Sequence, residues 1–352
     1  MSWEIPVLFS GPAFSAVTLT SIINTVPFAP NLLGVMGVYQ VDGVRTLDIA
    51  VAERNGQLEL LQTSPRGSPP AQIAVPRRTV RKATCVHMAV EAPIGADEVQ
   101  DALGDLTLTG QPQLQTLQGL VDDRLNGPFG LRQRIELTHE FHRLGGLQGV
   151  VVDKDGSELF NWFEFFGIER AADVALNFGA FTADGAAFEV ACTNLVREMD
   201  EELDGLVLTS RRPVALCGRT FYDQVYGNKE VKAARKNRDA GRDSDVFTQN
   251  KAWTSFTYGG ITWVEYRGTK SGSVGIAATE ARLFPLGVPG LMQQLFGPPD
   301  IMGLTNSQGL PTFAFMPPER QTSRQAVIEA QSNPLTVCLR PRSLRRLTIA
   351  SG

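Results

Sequence analysis

The chain has 352 residues, enough for one large domain or two ordinary ones, and its 43% hydrophobic and 20% charged content is that of a folded protein, neither disordered nor membranous. Lys and Arg number 33 against 37 Asp and Glu, and the net charge of -4 argues against a dedicated nucleic-acid binder, because neutralising phosphates takes a concentrated cationic surplus. No apolar run approaches the roughly 20 residues needed to cross a bilayer, and residues 1–10 lack the basic start and apolar run of a signal peptide, so nothing directs the chain out of the cell that makes it.

The first forty residues carry few charges, and only residues 15–24 are periodic enough for a short helix. This segment reads as an arm lying on something else, since alone it cannot bury Phe9, Phe14, Ile22, Ile23 and Phe28. From Thr46 the period becomes two, with Leu47, Ile49 and Val51 alternating with smaller or polar residues, and Asn55-Gly56 before 57–61 is a hairpin signal. Residues 64–70 hold three prolines and a glycine and cannot pair regularly. A strand-like run at 72–75 then leads into the basic Arg77, Arg78, Arg81 and Lys82. Together these residues predict a long two-stranded excursion, which has to rest on a neighbour because a lone ribbon is marginal in water.

Leu114, Leu117, Leu120, Val121 and Leu125 fall at helical spacing, as do Leu131, Ile135, Leu137, Phe141 and Leu144, with a break at Asn126-Gly127-Pro128 and an end at Gly145-Gly146. Residues 149–153 and 158–165 read as strands flanking Asp155-Gly156, a second hairpin signal. Within 185–205, Phe188, Leu195, Met199 and Leu203 form the apolar face of another helix. A buried strand at 213–217, a helix at 220–226 and a charged, solvated stretch at 229–242 follow. Strands are expected at 254–258 and 261–266 around Gly259-Gly260, then a strand at 281–286, a short helix at 289–296 and a strand-like tail. The mixed order predicts an α+β architecture.

Chemistry finds little to build on. His139 and His142 flank Glu140 at i and i+3, where a zinc protease helix needs i and i+4, so the segment reads as an amphipathic helix surface. Gly268-Thr269-Lys270-Ser271 lacks the glycine that precedes the lysine of a phosphate loop, and no Gly-x-Ser-x-Gly elbow or dinucleotide turn is present. No catalytic, cofactor or metal residue is assigned and no enzyme activity is expected. Cys85, Cys192, Cys217 and Cys338 lie far apart among apolar residues and read as buried side chains, with an interchain disulfide as the alternative. Asp122-Asp123 and Asp200-Glu201-Glu202 read as solvated faces. Arg340, Arg342, Arg345 and Arg346 pair with acids of a neighbouring chain or meet DNA, with pairing preferred, and Arg77, Arg78, Arg81 and Lys82 have the same two readings.

Two ends of the chain carry a family likeness. Glu319-Arg320-Gln321-Thr322 and the run from Val327, Ile328 and Glu329 to Ser332, Asn333, Pro334 and Leu335 resemble the closing segment of lambda-like tailed-phage major capsid proteins, the E capsid family. Phe14, Leu19-Thr20, Ile22-Ile23-Asn24, Pro27, Pro30 and Leu33-Gly34 follow its opening pattern, and Gly56-Gln57-Leu58 with Pro65-Arg66-Gly67-Ser68-Pro69-Pro70 follows its next block. The resemblance implies the tailed-phage major-capsid fold: an arm at 1–44, an extended loop at 45–85, a peripheral domain at 86–169 and 305–352 with a long spine helix, and an axial domain at 170–304. It implies a structural protein of the virion, assembled in the host cytoplasm as pentamers and hexamers around double-stranded DNA, with an encapsulin-like cargo shell as the alternative. Phe14, Ile22, Ile23, Leu47, Ile49, Val51, Asn55, Gly56, Arg66, Gly67, Arg77, Arg78 and Arg81 are then expected at contacts between subunits. Portal, scaffold, maturation protease and decoration partners are expected by the same likeness, the scaffold as a separate chain because no acidic helical extension precedes the arm, and residues 65–70 offer the decoration protein a place. No membrane partner is expected. Some relatives cross-link their shells through a lysine of the extended loop, but no lysine precedes Lys82, so no covalent chainmail is expected.

Overall fold

Residues 32–54, 78–104, 113–182, 185–203, 211–238, 254–269 and 274–350 are described by a computed structural model. The chain runs through α1 (Leu32–Val35), β1 (Gln40–Gly43), β2 (Asp48–Arg54), β3 (Arg78–Thr84), β4 (Met88–Gly95), α2 (Ala96–Gly104), α3 (Gln113–Asn126) and α4 (Leu131–Gln148). Next come β5 (Val150–Val152), β6 (Glu158–Asn161), α5 (Trp162–Phe166), β7 (Val174–Leu176), α6 (Ala187–Leu203), β8 (Arg212–Cys217), α7 (Arg219–Gly227) and α8 (Lys229–Arg238). The remainder is strand-rich: β9 (Ser255–Tyr258), β10 (Ile261–Glu265), β11 (Glu280–Leu286), β12 (Met292–Phe296), β13 (Phe313–Phe315), β14 (Gln325–Ser332), β15 (Pro334–Cys338) and β16 (Arg345–Ile349). No described helix is long and apolar enough to cross a membrane.

The largest sheet has the order β7-β16-β11-β8-β10-β9. Its central strands are apolar on both faces because both faces are covered. In β8, Val214 and Leu216 join a core with Leu144 and Leu147 of α4, while Ala215 and Cys217 join a second core with Phe188, Leu195 and Met199 of α6 and Phe221 of α7. The Gly259-Gly260 turn between β9 and β10 forms as expected, with φ of 60° and 77° that side-chain-bearing residues rarely adopt.

Helix α4 spans about 27 Å at 1.5 Å per residue and connects two cores. Its first half packs Leu131 and Ile135 with Leu117, Val121 and Leu125 of α3 against Ile94, Ile328 and Ala330 of the sheet β13-β14-β4. Its second half packs on the six-stranded sheet. The helix does not end at Gly145-Gly146 but runs to Gln148, with Gly149 as a left-handed C-cap. The paired glycines are there for closeness: a Cβ on Gly146 would stand 2.5 Å from Tyr39 Oη and 2.8 Å from Thr336 Cγ2.

A buried polar cluster lies along α4, where the sequence suggested an amphipathic surface. His139, Glu140, His142 and Arg143 are all buried. Glu140 Oε1 accepts from Leu33 N (3.0 Å) and from Tyr266 Oη (3.2 Å), and Arg143 Nη1 lies 3.7 Å from Glu140 Oε2. Arg143 Nε donates to Gln294 Oε1 of β12 (2.8 Å), and its carbonyl accepts from Tyr39 Oη (2.6 Å). Ser332 Oγ donates to Pro311 O (2.7 Å), which uses its only hydrogen, so His139 Nε2 must be the donor in its 2.8 Å contact with that oxygen.

Other expectations change for physical reasons. Residues 289–296 hold the strand β12 and no helix, because the chain there is paired on both sides, parallel to β1 and antiparallel to β15, and alternation buries Met292, Gln294 and Phe296. The expected strand 158–165 stops at Asn161, whose side chain accepts from Phe163 N and Glu164 N and starts α5. The β5–β6 hairpin closes over three residues, with Gly156 N donating to Asp153 O (3.0 Å) and Asp153 N to Ser157 O (2.8 Å), and positive φ only at Gly156. Residues 229–238 are helical, with Glu230 and Val231 buried, where a solvated stretch was expected. Two strands also cross the divisions implied by the resemblance: β12 pairs with β1 and β15 beside the spine, and β16 completes the six-stranded sheet by burying Leu347 with Ala281 and Leu283.

Two outcomes follow from this packing. A methyl group placed on Gly119 of α3 would meet nothing within 4 Å, so Gly119→Ala should stabilise the fold by about 1 kcal/mol, read as a higher denaturant midpoint, whereas Gly146→Ala should cost about 1–3 kcal/mol despite the same gain in helix propensity. Burial pulls the His142 pKa from 6.5 to about 4, helped by nearby His139 and opposed by Asp153, and it pulls His139 down as well. The unfolded chain therefore takes up protons that the folded one refuses, and stability is lost as pH falls from 6.5 towards 4. Glu140, raised by burial, works in the opposite direction and blunts the loss. His142→Gln should flatten the thermal midpoint against pH across that window, read by circular dichroism.

Candidate assembly surfaces

The ribbon β2–β3 pairs seven residues on each side, from Asp48↔Thr84 to Arg54↔Arg78. The strand at its second edge is made of the basic residues themselves, and Ala83 turns inward between the exposed Lys82 and Thr84. At its base Lys82 Nζ contacts Asp48 Oδ2 (2.6 Å) and Thr84 Oγ1 donates to Asp48 Oδ1 (2.7 Å), which holds the Asp48 carboxyl below its usual range. These groups are exposed, so the ion pair contributes little. The apolar root matters more. Ala83 and Cys85 are buried with Trp162, Phe166, Leu335 and Val337, and Ile49 and Val51 pack partly against the same group. Trp162 is fixed by its Nε1 donating to Thr336 O (3.1 Å) and by stacking on Phe160 at 5.4 Å between centroids.

Of the contact residues expected from sequence, the structure brings Ile49 and Val51 to this root and leaves Leu47 exposed. Arg81 Nη2 donates to Phe166 O (3.3 Å), and the Arg78 backbone pairs with Arg54. Phe14, Ile22, Ile23, Asn55, Gly56, Arg66, Gly67 and Arg77 lie outside the described residues, as do the 15–24 helix and the strand-like runs 57–61 and 72–75.

The C-terminal arginines find acids within their own chain. Arg342 Nη2 lies 3.0 Å from Glu202 Oε1, and Arg345 Nε lies 3.6 Å from Glu198 Oε2, both acids on α6. Arg346 grips Glu280 with Nε (2.9 Å) and Nη2 and reaches Asp173 with Nη1 (2.8 Å). The Arg346 hydrogen bond holds the Glu280 carboxyl below its usual range, while burial draws the neighbouring Arg282 down to about 10. Arg340 is exposed and has no ion pair among the described residues.

The two most exposed large apolar side chains among the described residues were missed by the sequence reading. Phe129 is 87% exposed at the turn between α3 and α4, above a groove bordered by Glu91, Pro93, Arg124 and Arg134, and Met302 is 94% exposed in the segment after β12. The signal for the first was the same Asn126-Gly127-Pro128 break that separates the helices, since a turn residue has no helical face to bury it.

The Ser332 hydroxyl beside His139 is fully buried and gives its hydrogen to Pro311 O, so that contact offers no accessible nucleophile. All four cysteines are free and buried, and burial raises Cys85 to about 11, Cys192 and Cys338 to about 12, and Cys217 well above its ordinary value. As thiols at neutral pH they are poor nucleophiles. Among the described residues no group of three or more His, Cys, Asp or Glu is arranged to hold a metal ion.

A sequence profile of the family described as phage major capsid protein E matches residues 15–349. The chain is 22% identical to the major capsid protein of Salmonella phage Felix O1 (isolate Felix O1-VT1), over 94% of this chain and 95% of that one. It also superposes on a crystal structure assigned as the capsid protein of a prophage in E. coli CFT073, with a TM-score of 0.54 at 12% identity, covering 96% of this chain and 99% of the other. The fold is that of the tailed-phage shells, and with a profile match over nearly its whole length the chain belongs to the phage major capsid protein E family.

Proposed function

We propose that copies of this chain close into an icosahedral shell of pentamers and hexamers around double-stranded DNA, after assembling with a scaffold and a portal in the host cytoplasm. Family membership favours this over an encapsulin-like cargo compartment. The observation that carries the proposal is the ribbon root: Ile49, Val51, Ala83 and Cys85 pin the two strands over Trp162, so the chain enters and leaves residues 55–77 from one rigid base. On this reading the ribbon tip and residues 1–31 of the arm lie on neighbouring copies, while residues 32–44 pack on their own chain, with Phe14, Ile22, Ile23, Leu47, Asn55, Gly56, Arg66, Gly67, Arg77 and Phe129 at the contacts. The axial domain is the six-stranded sheet with β16 and helices α6 to α8; the peripheral domain is the spine α4 with the sheets β13-β14-β4 and β1-β12-β15. Residues 65–70 give a decoration protein a place to dock.

The mechanism is mechanical. Apolar burial supplies most of the gain, at about 25 cal/mol per Å² removed from water. Each copy is tethered by several neighbours at once, so modest contacts add to a strong lattice without any one of them being strong. Segments that take their final shape on a neighbour also let one sequence fill the slightly different surroundings of a pentamer and a hexamer.

Replacing residues 55–77 by an Asn-Gly turn should leave a folded chain with an unchanged unfolding midpoint and no shells in negative-stain micrographs; normal shells from that protein would overturn the role given to the ribbon. Boiling mature particles in SDS and reducing agent should release a single band near 38.3 kDa, because no lysine precedes Lys82, and a ladder of linked multimers would contradict it.

A further inference from the structure

A side-chain cation can meet a phosphate only where no carboxylate already holds it, and three of the C-terminal arginines are already occupied by Glu202, Glu198, Glu280 and Asp173 of the same chain. Helix α8 differs. Its sequence KEVKAARKNR holds five cations and a single acid. That acid is turned inward: Glu230 is buried and accepts from Phe188 N (3.1 Å), Glu189 N (3.0 Å) and Tyr258 Oη (2.6 Å), closing the N-terminus of α6. Val231 is fully buried beside it, and Asn228 Oδ1 accepts from Glu230 N (2.9 Å), so the first turn is fixed in place. Lys229 and Lys232 are exposed and have no carboxylate at ion-pair distance among the described residues. The helical repeat puts position 236, another lysine, in register with them.

We propose that the exposed side of α8 is the contact between this chain and the phosphate backbone of the enclosed double-stranded DNA. The inference rests on the capsid reading and assigns its polyanion contact to one element. The net charge of -4 makes the surface as a whole repel DNA, so a contact has to be local, and a helix whose only acid is used internally supplies it. Lysines suit such a contact, since flexible point charges track phosphates without reading bases, as packaging any sequence requires. The rival occupant is an acidic face of a second copy, such as the one carrying the exposed Asp97, Asp101, Asp122 and Asp123.

The test uses the full chain with Lys229→Gln and Lys232→Gln together, after matching circular dichroism and unfolding midpoints establish that the fold is kept. Binding of a short labelled duplex to the unassembled protein is measured across a salt series, and shell formation is followed in parallel by electron microscopy. Each phosphate contact contributes about 0.9 to the slope of log affinity against log salt, so the double variant should lose about two from the slope while still forming shells. Equal slopes, or no binding by the unmodified chain, would overturn the proposal. So would a variant that binds DNA normally but cannot form shells, which would assign α8 to a neighbouring copy. A reduced slope when neither protein forms shells would support the phosphate contact and count against the capsid reading alone.

Discussion

Glu140 and Arg143 sit on the same face of α4, out of water, and that placement constrains everything around the spine. A buried charge costs several kcal/mol unless paired and hydrogen-bonded, and neither residue completes its shell from α4 alone. Glu140 needs the backbone of Leu33 and the phenol of Tyr266; Arg143 needs Gln294 and gives its carbonyl to Tyr39. The root of the N-terminal segment, the end of β10, strand β12 and the spine must therefore come together at once. Gly146 serves the same end, because only a bare backbone lets Tyr39 and Thr336 approach the helix this closely, while Gly145 makes room for the backbone of Val150 and Val151.

Much of the six-stranded sheet was legible in the sequence because its physics is local. Val214 to Cys217 and Ala281 to Leu286 are apolar almost throughout, Gly259-Gly260 marks a turn only glycines favour, and α6 shows Phe188, Leu195, Met199 and Leu203 at helical spacing. The misses are places where partners distant in sequence decide. Leu291, Met292, Leu295 and Phe296 fit a helix as well as a strand, and only the strands on either side settle the matter. The aromatic run Trp162 to Phe166 has strand propensity, yet a single Asn161 cap starts a helix there. The cluster at His139, Glu140 and His142 looked like a surface because polar residues usually are; its partners come from positions 33, 266 and 332, and Arg143 beside it bonds to position 294.

The assembly surfaces were legible to a different degree. The alternation of Leu47, Ile49 and Val51 announced a strand, but not that Ile49 and Val51 face the chain's own Trp162 while Leu47 stays outside. Charge was harder still. The cluster of Arg342, Arg345 and Arg346 reads from sequence like a patch kept for a partner, and the fold uses it to fasten β16 and the segment before it to α6, β11 and Asp173. Sequence gives the density of charge; only the fold says how much of it is left over.

That remainder separates the interactions that make the subunit from those kept for the lattice. Four apolar clusters are closed within one chain, and the buried charges of the spine are met by the same chain, so the described body has what it needs to fold before it meets a neighbour. Left outward are Leu47 and Val80 on the ribbon, Phe129 at the helical turn, Met302 beyond β12, and Lys229 and Lys232 of α8. These side chains are scattered and individually small, which suits the proposed lattice: a subunit that binds each neighbour weakly can be withdrawn and replaced until a shell closes correctly, and simultaneous tethering then makes the closed form strong. A single large apolar face would trap the first wrong encounter instead.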